Sequence, residues 1–388
     1  GGRVPWLSPW SGKNEPTNPI FRNHWRQWRF NELSYLGGRH YLYPDMTVDW
    51  VSPSFTRERE GDESSREVER SVSIRLASFL FPFPRETPWS YEQRRLSSVY
   101  RNLVAPIVNV TAAFVQSQPV LRDAGGVGEL ERMWGEEGDV TFCGDSMDEF
   151  MREALRCAVT YGLVHAFVEQ PSYEPSKVRT LRDVEELGLR PYLRLVSPLQ
   201  VTRWRRDPWA RLVAVEIMEP DLRDRPDDPW MQEEREPLVR RWYAPTRTVV
   251  GPGVVEIQPG RWELREAPVG ARDGELIDSG EHPYARIPME TMYCRRWPGE
   301  PMLGITPIDD IARIGQRVFN LDSEIQRLES MQYPFLAIPG GQKLGRQDVG
   351  TSDAFAVPDG VGLPGYISPP AENIRVLRES VADHVLQV

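Results

Sequence analysis

The sequence is short of lysine, cysteine and histidine. Only Lys13, Lys177 and Lys343 are lysines, so every other one of its 47 basic side chains is an arginine. Cys143, Cys157 and Cys294 are too few and too scattered for a disulfide framework or a zinc site. His24, His40, His165, His282 and His384 lie far apart, and none has metal-ligand spacing. Each reads as a surface or core residue, and His165, inside an apolar strand pattern, as a satisfied core one. No nucleophile elbow, phosphate-binding glycine loop or zinc pattern is present. Gly125-Gly126-Val127-Gly128 has no following Lys-Ser/Thr and reads as a turn. Enzymatic activity, metals and cofactors are therefore not expected. No apolar run approaches a membrane span, and the N-terminus lacks an export pattern. The expectation is synthesis in a reducing cytosol, with no membrane partner.

Positive charge is also in deficit. A formal net charge of −10 and a pI near 5.3 argue against gripping nucleic acid by broad phosphate neutralisation. They leave room for a protein that encloses DNA without holding it. The preference for arginine has two compatible sources, a GC-rich genome and arginine-rich subunit interfaces, where guanidinium forks suit carboxylates.

What is present is patterned structure. Residues 1–17 read as an arm without its own core. Asn18 and Pro19 open a helix that stops at Gly37-Gly38. Thr56 to Glu69 is dense in charge and reads as a mobile loop or an exposed helix. Thr87-Pro88 opens a second long helix with Leu96, Val99, Leu103, Ile107, Val110 and Phe114 on one side. Pro106 predicts a kink or break in it near Leu103. Ser146 and Glu149 form a capping-box pattern for a third helix, ending at Gly162. From Leu163 to Arg295 the period changes to strands: Leu163 to Glu169, Tyr192 to Val196, Val201 to Trp204, Leu212 to Met218, Leu238 to Tyr243, Trp262 to Arg265 and Met289 to Cys294. Asp221 to Glu236 reads as an acidic loop. The fold class is α+β, with helices first and mostly antiparallel strands after.

The most informative stretch is Arg295 to Gly341. Thr306 caps a helix, Pro307 takes its first position, and Asp309 and Asp310 compensate its dipole. Pro334 stops it near Met331. About 25 residues at roughly 1.5 Å each make a rod of about 35–40 Å. Ile308, Ile311, Ile314, Val318, Leu321, Ile325 and Leu328 form one narrow stripe, which predicts packing beside a neighbour. Short apolar strands follow, carrying Phe335, Leu336 and Ile338, then Phe355 and Val357, then Tyr366 and Ile367. They are too small for a core, and pairing with another chain is expected. A last helix opens near Ala371, with Ile374, Leu377, Val381, Val385 and Val388 on one face.

These residues resemble tailed-bacteriophage portal proteins, the head–tail connectors. Arg286 to Pro288, the Gly304 to Ile311 turn, the helix centre Asn320 to Ile325 and the strand Pro334 to Ile338 fall in the family's order. Tyr161-Gly162 and Arg190-Pro191-Tyr192 before Ser197-Pro198 are weaker echoes. The resemblance implies an α/β wing at 18–300, a stem helix at 301–333, a β-rich clip at 334–370 and the start of a second stem helix at 371–388. The family's tunnel loop and crown are not in this sequence. It also implies a homo-oligomeric ring, usually dodecameric, at one capsid vertex of the virion, assembled in the host cytoplasm. Double-stranded DNA would pass through its channel in genome packaging and ejection. The large terminase, the head–tail adaptor, and the capsid and scaffold proteins would be its partners. Asp309, Asp310, Asp322, Glu324 and Glu329 are candidates for an acidic channel surface, and Ile311, Ile314, Val318, Leu321, Ile325 and Leu328 for stem packing.

Three readings compete with this one. The long helix could be an ordinary core helix of a monomer. The chain could be another virion protein, such as an adaptor. Thirteen tryptophans and carboxylate pairs such as Glu185-Glu186 and Asp227-Asp228 could suit a polysaccharide hydrolase. Against the hydrolase, Trp28, Trp89, Trp204, Trp242 and Trp262 fall where packing is expected. Adjacent Asp309 and Asp310 also point apart on a helix.

Overall fold

The computed structural model describes residues 18–44, 48–51, 73–76, 78–83, 86–118, 120–123, 125–134, 138–171, 180, 182–183, 189–219, 224–225, 228–232, 237–251, 254–266, 274–330, 335–339, 354–357, 365–367 and 371–387. The arm at 1–17 and the stretch Thr56 to Glu69 lie outside these residues. The helices are α1 (Pro19–Leu36), α2 (Gly38–Leu42), α3 (Pro88–Ser97), α4 (Val104–Val115), α5 (Gly128–Trp134), α6 (Met147–Tyr161), α7 (Ile308–Ser330) and α8 (Ala371–Leu386). The strands are β1 (Val48–Val51), β2 (Ser73–Leu76), β3 (Leu163–Glu169), β4 (Tyr192–Val196), β5 (Val201–Arg206), β6 (Leu212–Glu219), β7 (Asp224–Arg225), β8 (Asp228–Gln232), β9 (Leu238–Tyr243) and β10 (Thr246–Gly251). They continue with β11 (Val254–Gln258), β12 (Gly260–Glu266), β13 (Leu276–His282), β14 (Met289–Tyr293), β15 (Arg295–Arg296), β16 (Gly304–Ile305), β17 (Phe335–Pro339), β18 (Ala354–Val357) and β19 (Gly365–Ile367). This is a mixed α+β protein.

Two compact units share the chain. One combines residues 1–35 with 104–309, the other 36–103 with 310–388. Tyr41, Phe79 and Arg94 fall in the same unit as most of α7.

In the first unit, Asn18 Oδ1 accepts from the backbone N–H groups of Ile20 (2.9 Å) and Phe21 (3.2 Å) and opens α1. Ser146 and Glu149 complete the capping box of α6, and Gly162 closes that helix with φ 89°. Phe21 and Trp28 of α1 pack with Ala154, Cys157, Tyr161, Val164 and Leu303. Each large side chain buried there contributes roughly 1.5–3 kcal/mol. Strands β14, β3 and β4 form one antiparallel sheet, and β13, β12, β9, β6 and β5, in that order, form another. Strand alternation separates the larger sheet's two faces. Trp204, Val215, Trp242, Trp262 and Gly280 lie in one row across the five strands. This face meets Phe167, Val196 and Ile287 in a second core. The other face is charged.

The expected helix from Thr87 is two helices, and they belong to different units. Thr87 does cap the first, accepting from Ser90 N at 3.2 Å. Pro106 explains the break. It sits in the first turn of α4, where its missing N–H removes no intrahelical bond. The expected apolar side is not the buried one: Leu96, Val99, Val110 and Phe114 are exposed, and α4 buries Val104, Val108 and Ala112 instead.

In the second unit, β17 pairs with β18 in parallel and with β19 antiparallel. The short strands that were expected to need another chain thus pair with one another. Phe335, Leu336 and Ile338 lie on β17, Phe355 and Val357 on β18, and Tyr366 and Ile367 on β19.

Candidate assembly site

The start of α7 is anchored in the first unit. Thr306 Oγ1 accepts from Ile308 N at 3.0 Å, and its hydroxyl donates to the carbonyl of Val159. Asp309 accepts from the side-chain amides of Asn31 (2.6 Å) and Gln27 (3.3 Å), both on α1. Asn31 is fully buried and also donates to Thr160 O at 3.1 Å. Asn31→Ala therefore strips a buried carbonyl and a carboxylate of donors at once. The expected cost is about 1–3 kcal/mol in denaturant unfolding at pH 7.

Farther along, within the second unit, α7 packs on two sides. On one, Asn320 behaves like a strand's peptide group. Its Nδ2 donates to Phe79 O (3.1 Å), and its Oδ1 accepts from Phe81 N (2.7 Å). Ser323 Oγ, 2.9 Å from Arg94 Nη1, takes that guanidinium's hydrogen bond and donates to Asn320 O. Phe319, buried, stands edge-on to Tyr41 at 5.4 Å, and Tyr41 stacks on Tyr100 at 3.7 Å. On the other side, Val318 and Ile325 pack with Ile374 and Val381 of α8, flanked by half-buried Ile314, Leu321, Leu328 and Leu377. Ile311 is also half-buried. The stripe expected on α7 is present, but a second contact surface accompanies it. Tyr41 and Tyr100 of the same chain cover its Phe319 side, so α7 is not packed along one stripe alone.

The five acidic candidates separate by environment. Asp309 is held by α1, as described. Asp322 is 8 % exposed, pairs with Arg101 at 2.8 Å, and has its carboxyl pushed up by burial against the pull of Arg101. Glu329 pairs with Arg378 of α8. Asp310 is exposed and Glu324 half-buried. Beside Asp322 and Glu329 lies an open groove of about 770 Å³, with Val99, Ile325, Val381, Val385 and Leu386 as its apolar lining.

No group of three or more His, Cys, Asp or Glu among the described residues could hold a metal ion. His165 is 1 % exposed, with its Nδ1 2.9 Å from Thr291 Oγ1. Burial, helped by the charge of Arg206, pushes it down to about 3, so it stays neutral at physiological pH. Glu169 and Glu219 converge on Arg194 (2.7 and 2.8 Å), and Tyr192 donates to Glu169 at 2.7 Å. Burial first, then that bond and the Glu169 charge, push the Tyr192 phenol well above its ordinary value.

No known family profile matches this chain, and no curated protein matches it in sequence. Among the described residues no helix is long and apolar enough to cross a membrane.

Proposed function

We propose that this chain is a portal protein of a tailed double-stranded DNA virus. It forms a ring, usually of twelve copies in that family, through which the genome enters and leaves the capsid. The observation that carries the reading is the order within the second unit: long helix α7, a three-stranded sheet, then helix α8 docked on the Val318–Ile325 stripe. On this reading the pair of helices is the stem and the sheet is the clip that docks terminase and adaptor. The apolar groove beside Ile325 and Val381 is then a surface that a neighbouring copy covers. Asp310, exposed, and Glu324 are the stem carboxylates left to face the channel, where negative charge keeps the duplex from sticking.

Native mass measurement and negative-stain imaging of the purified chain test this. Closed rings of a single copy number, with a central opening, are expected. A monomer at every concentration and salt tried would defeat the reading.

A further inference from the structure

The charged face of the five-stranded sheet carries an inference that rests on the ring reading and extends it. Cross-strand register places Arg205, Ala214, Tyr243, Arg261 and Glu281 in one row from β5 to β13. The adjacent row reads Arg203, Glu216, Arg241, Glu263 and Ser279. Within that second row the signs alternate and the groups bond: Arg241 donates to Glu216 at 2.9 Å, and Arg203 lies 3.5 Å from the same carboxylate. In both rows the β5 end is an arginine, and the only charge at the β13 end is a carboxylate.

The two strands at the sheet's edges have opposite character throughout. Strand β5 holds Arg203, Arg205 and Arg206 and no acid, whereas β13 holds Asp278 and Glu281 and neither Lys nor Arg; its His282 is buried, which pushes its pKa down. Arg205 and Glu281 are exposed, and neither makes an ion pair among the described residues. Exposed Leu276 and Ile277 add apolar surface to the β13 edge. A surface whose two ends are complementary to each other, and not to themselves, suits head-to-tail repetition. Such a heterologous contact generates rings when the rotation closes.

We propose that the β13 edge of one copy docks against the β5 edge of the next, with Glu281 meeting Arg205 in the same row. The occupant of each edge is a second copy of this chain. Opposite charges directly across such a junction favour register and suppress wrong pairings. At the junction itself a carboxylate then meets an arginine, and no like charges stand side by side there.

The test is a charge swap in the full chain, read by native mass and sedimentation at low salt. Arg205→Glu and Glu281→Arg should each raise the concentration for half-assembly about tenfold or more, and the double reversal should bring it back to within about threefold. Glu281→Gln should give a smaller loss, since it places no cation opposite Arg261. Both positions are exposed, so melting curves should move little; Glu281→Arg should move them most, because it sets a cation opposite Arg261 within the same sheet, and Glu281→Gln separates that effect from the junction. Rings that survive either reversal unaltered would overturn this contact while leaving the portal reading in place. Reversals that dissociate the ring without rescue in the double variant would show that the two edges do not meet, and would overturn it too. A wild-type chain that never assembles would remove both.

Discussion

Gly304→Ala is expected to cost at least about 4 kcal/mol and to leave the first unit poorly folded. Gly304 and Gly162 meet backbone to backbone. A Cβ on Gly304 would stand 2.1 Å from Gly162 O, and one on Gly162 would stand 2.6 Å from the carbonyl carbon of Gly304. Neither neighbour is a flexible side chain that can swing away. Gly162 also needs its left-handed φ of 89° to end α6, and its carbonyl accepts from Cys294 N at 2.9 Å. This contact ties the end of α6 to the chain just before α7. A fall in Tm of about 10 °C or more, or loss of recoverable protein, is the expected readout. Gly128→Ala is the control: a methyl there meets nothing within 4 Å, and a change within about 0.5 kcal/mol is expected.

Arg94→Met is expected to cost about 3 kcal/mol at pH 7, the low end for breaking a buried ion pair, because Arg327 stays 3.5 Å from Glu86. Arg94 is 5 % exposed. It donates to both oxygens of Glu86 (2.9 and 2.7 Å), to Ser323 Oγ (2.9 Å) and to Phe81 O (2.6 Å), and its guanidinium lies 3.9 Å from the Phe83 ring centre. Burial alone would raise Glu86. Hydrogen bonds from Arg94 and the Phe83 backbone, and the charges of Arg94 and Arg327, outweigh it and hold the carboxyl below its ordinary value. A depressed folded value means stability that is present above the ordinary glutamate range and lost as pH falls through the folded value. The variant should therefore differ most from the parent at neutral pH and least near pH 3, in urea midpoints across that range. An equal difference at both pH values would contradict this account of Glu86.

Much of the fold was legible where local chemistry dictates geometry. Asn18, Thr87, Ser146 and Thr306 each cap as their positions predicted, because a cap is decided within four residues. Strands β3, β4 and β9 match their apolar runs to the residue. Strand β13 was not legible: Leu-Ile-Asp-Ser-Gly-Glu-His has little strand character, and its pairing with β12 is set by a partner ten or more residues away. Asn320 and Ser323 were visible as a pattern, but their task was not. Each binds a segment more than 200 residues upstream, and no helical period encodes that. The second side of α7 was missed for the same reason, since Phe319 looks like a stray aromatic until Tyr41 and Tyr100 are beside it. The acidic candidates show the limit most plainly. Asp309 and Asp322 are alike in sequence to Asp310, and only the tertiary partners Asn31 and Arg101 set them apart.

The distance between α1 and its partners has a consequence for biosynthesis. Asn31, Phe21 and Trp28 leave the ribosome long before Leu303 and Asp309, which cover or bind that helix and come last in the unit. Gln27 and Asp309 are separated by 282 positions. At about 5–20 residues per second, α1 waits roughly 15–60 s for its companions to be translated. Until α6 is translated Phe21 and Trp28 are sticky surface on a nascent chain, and they stay incompletely covered until Leu303 follows, which makes this helix a natural client for a holding chaperone.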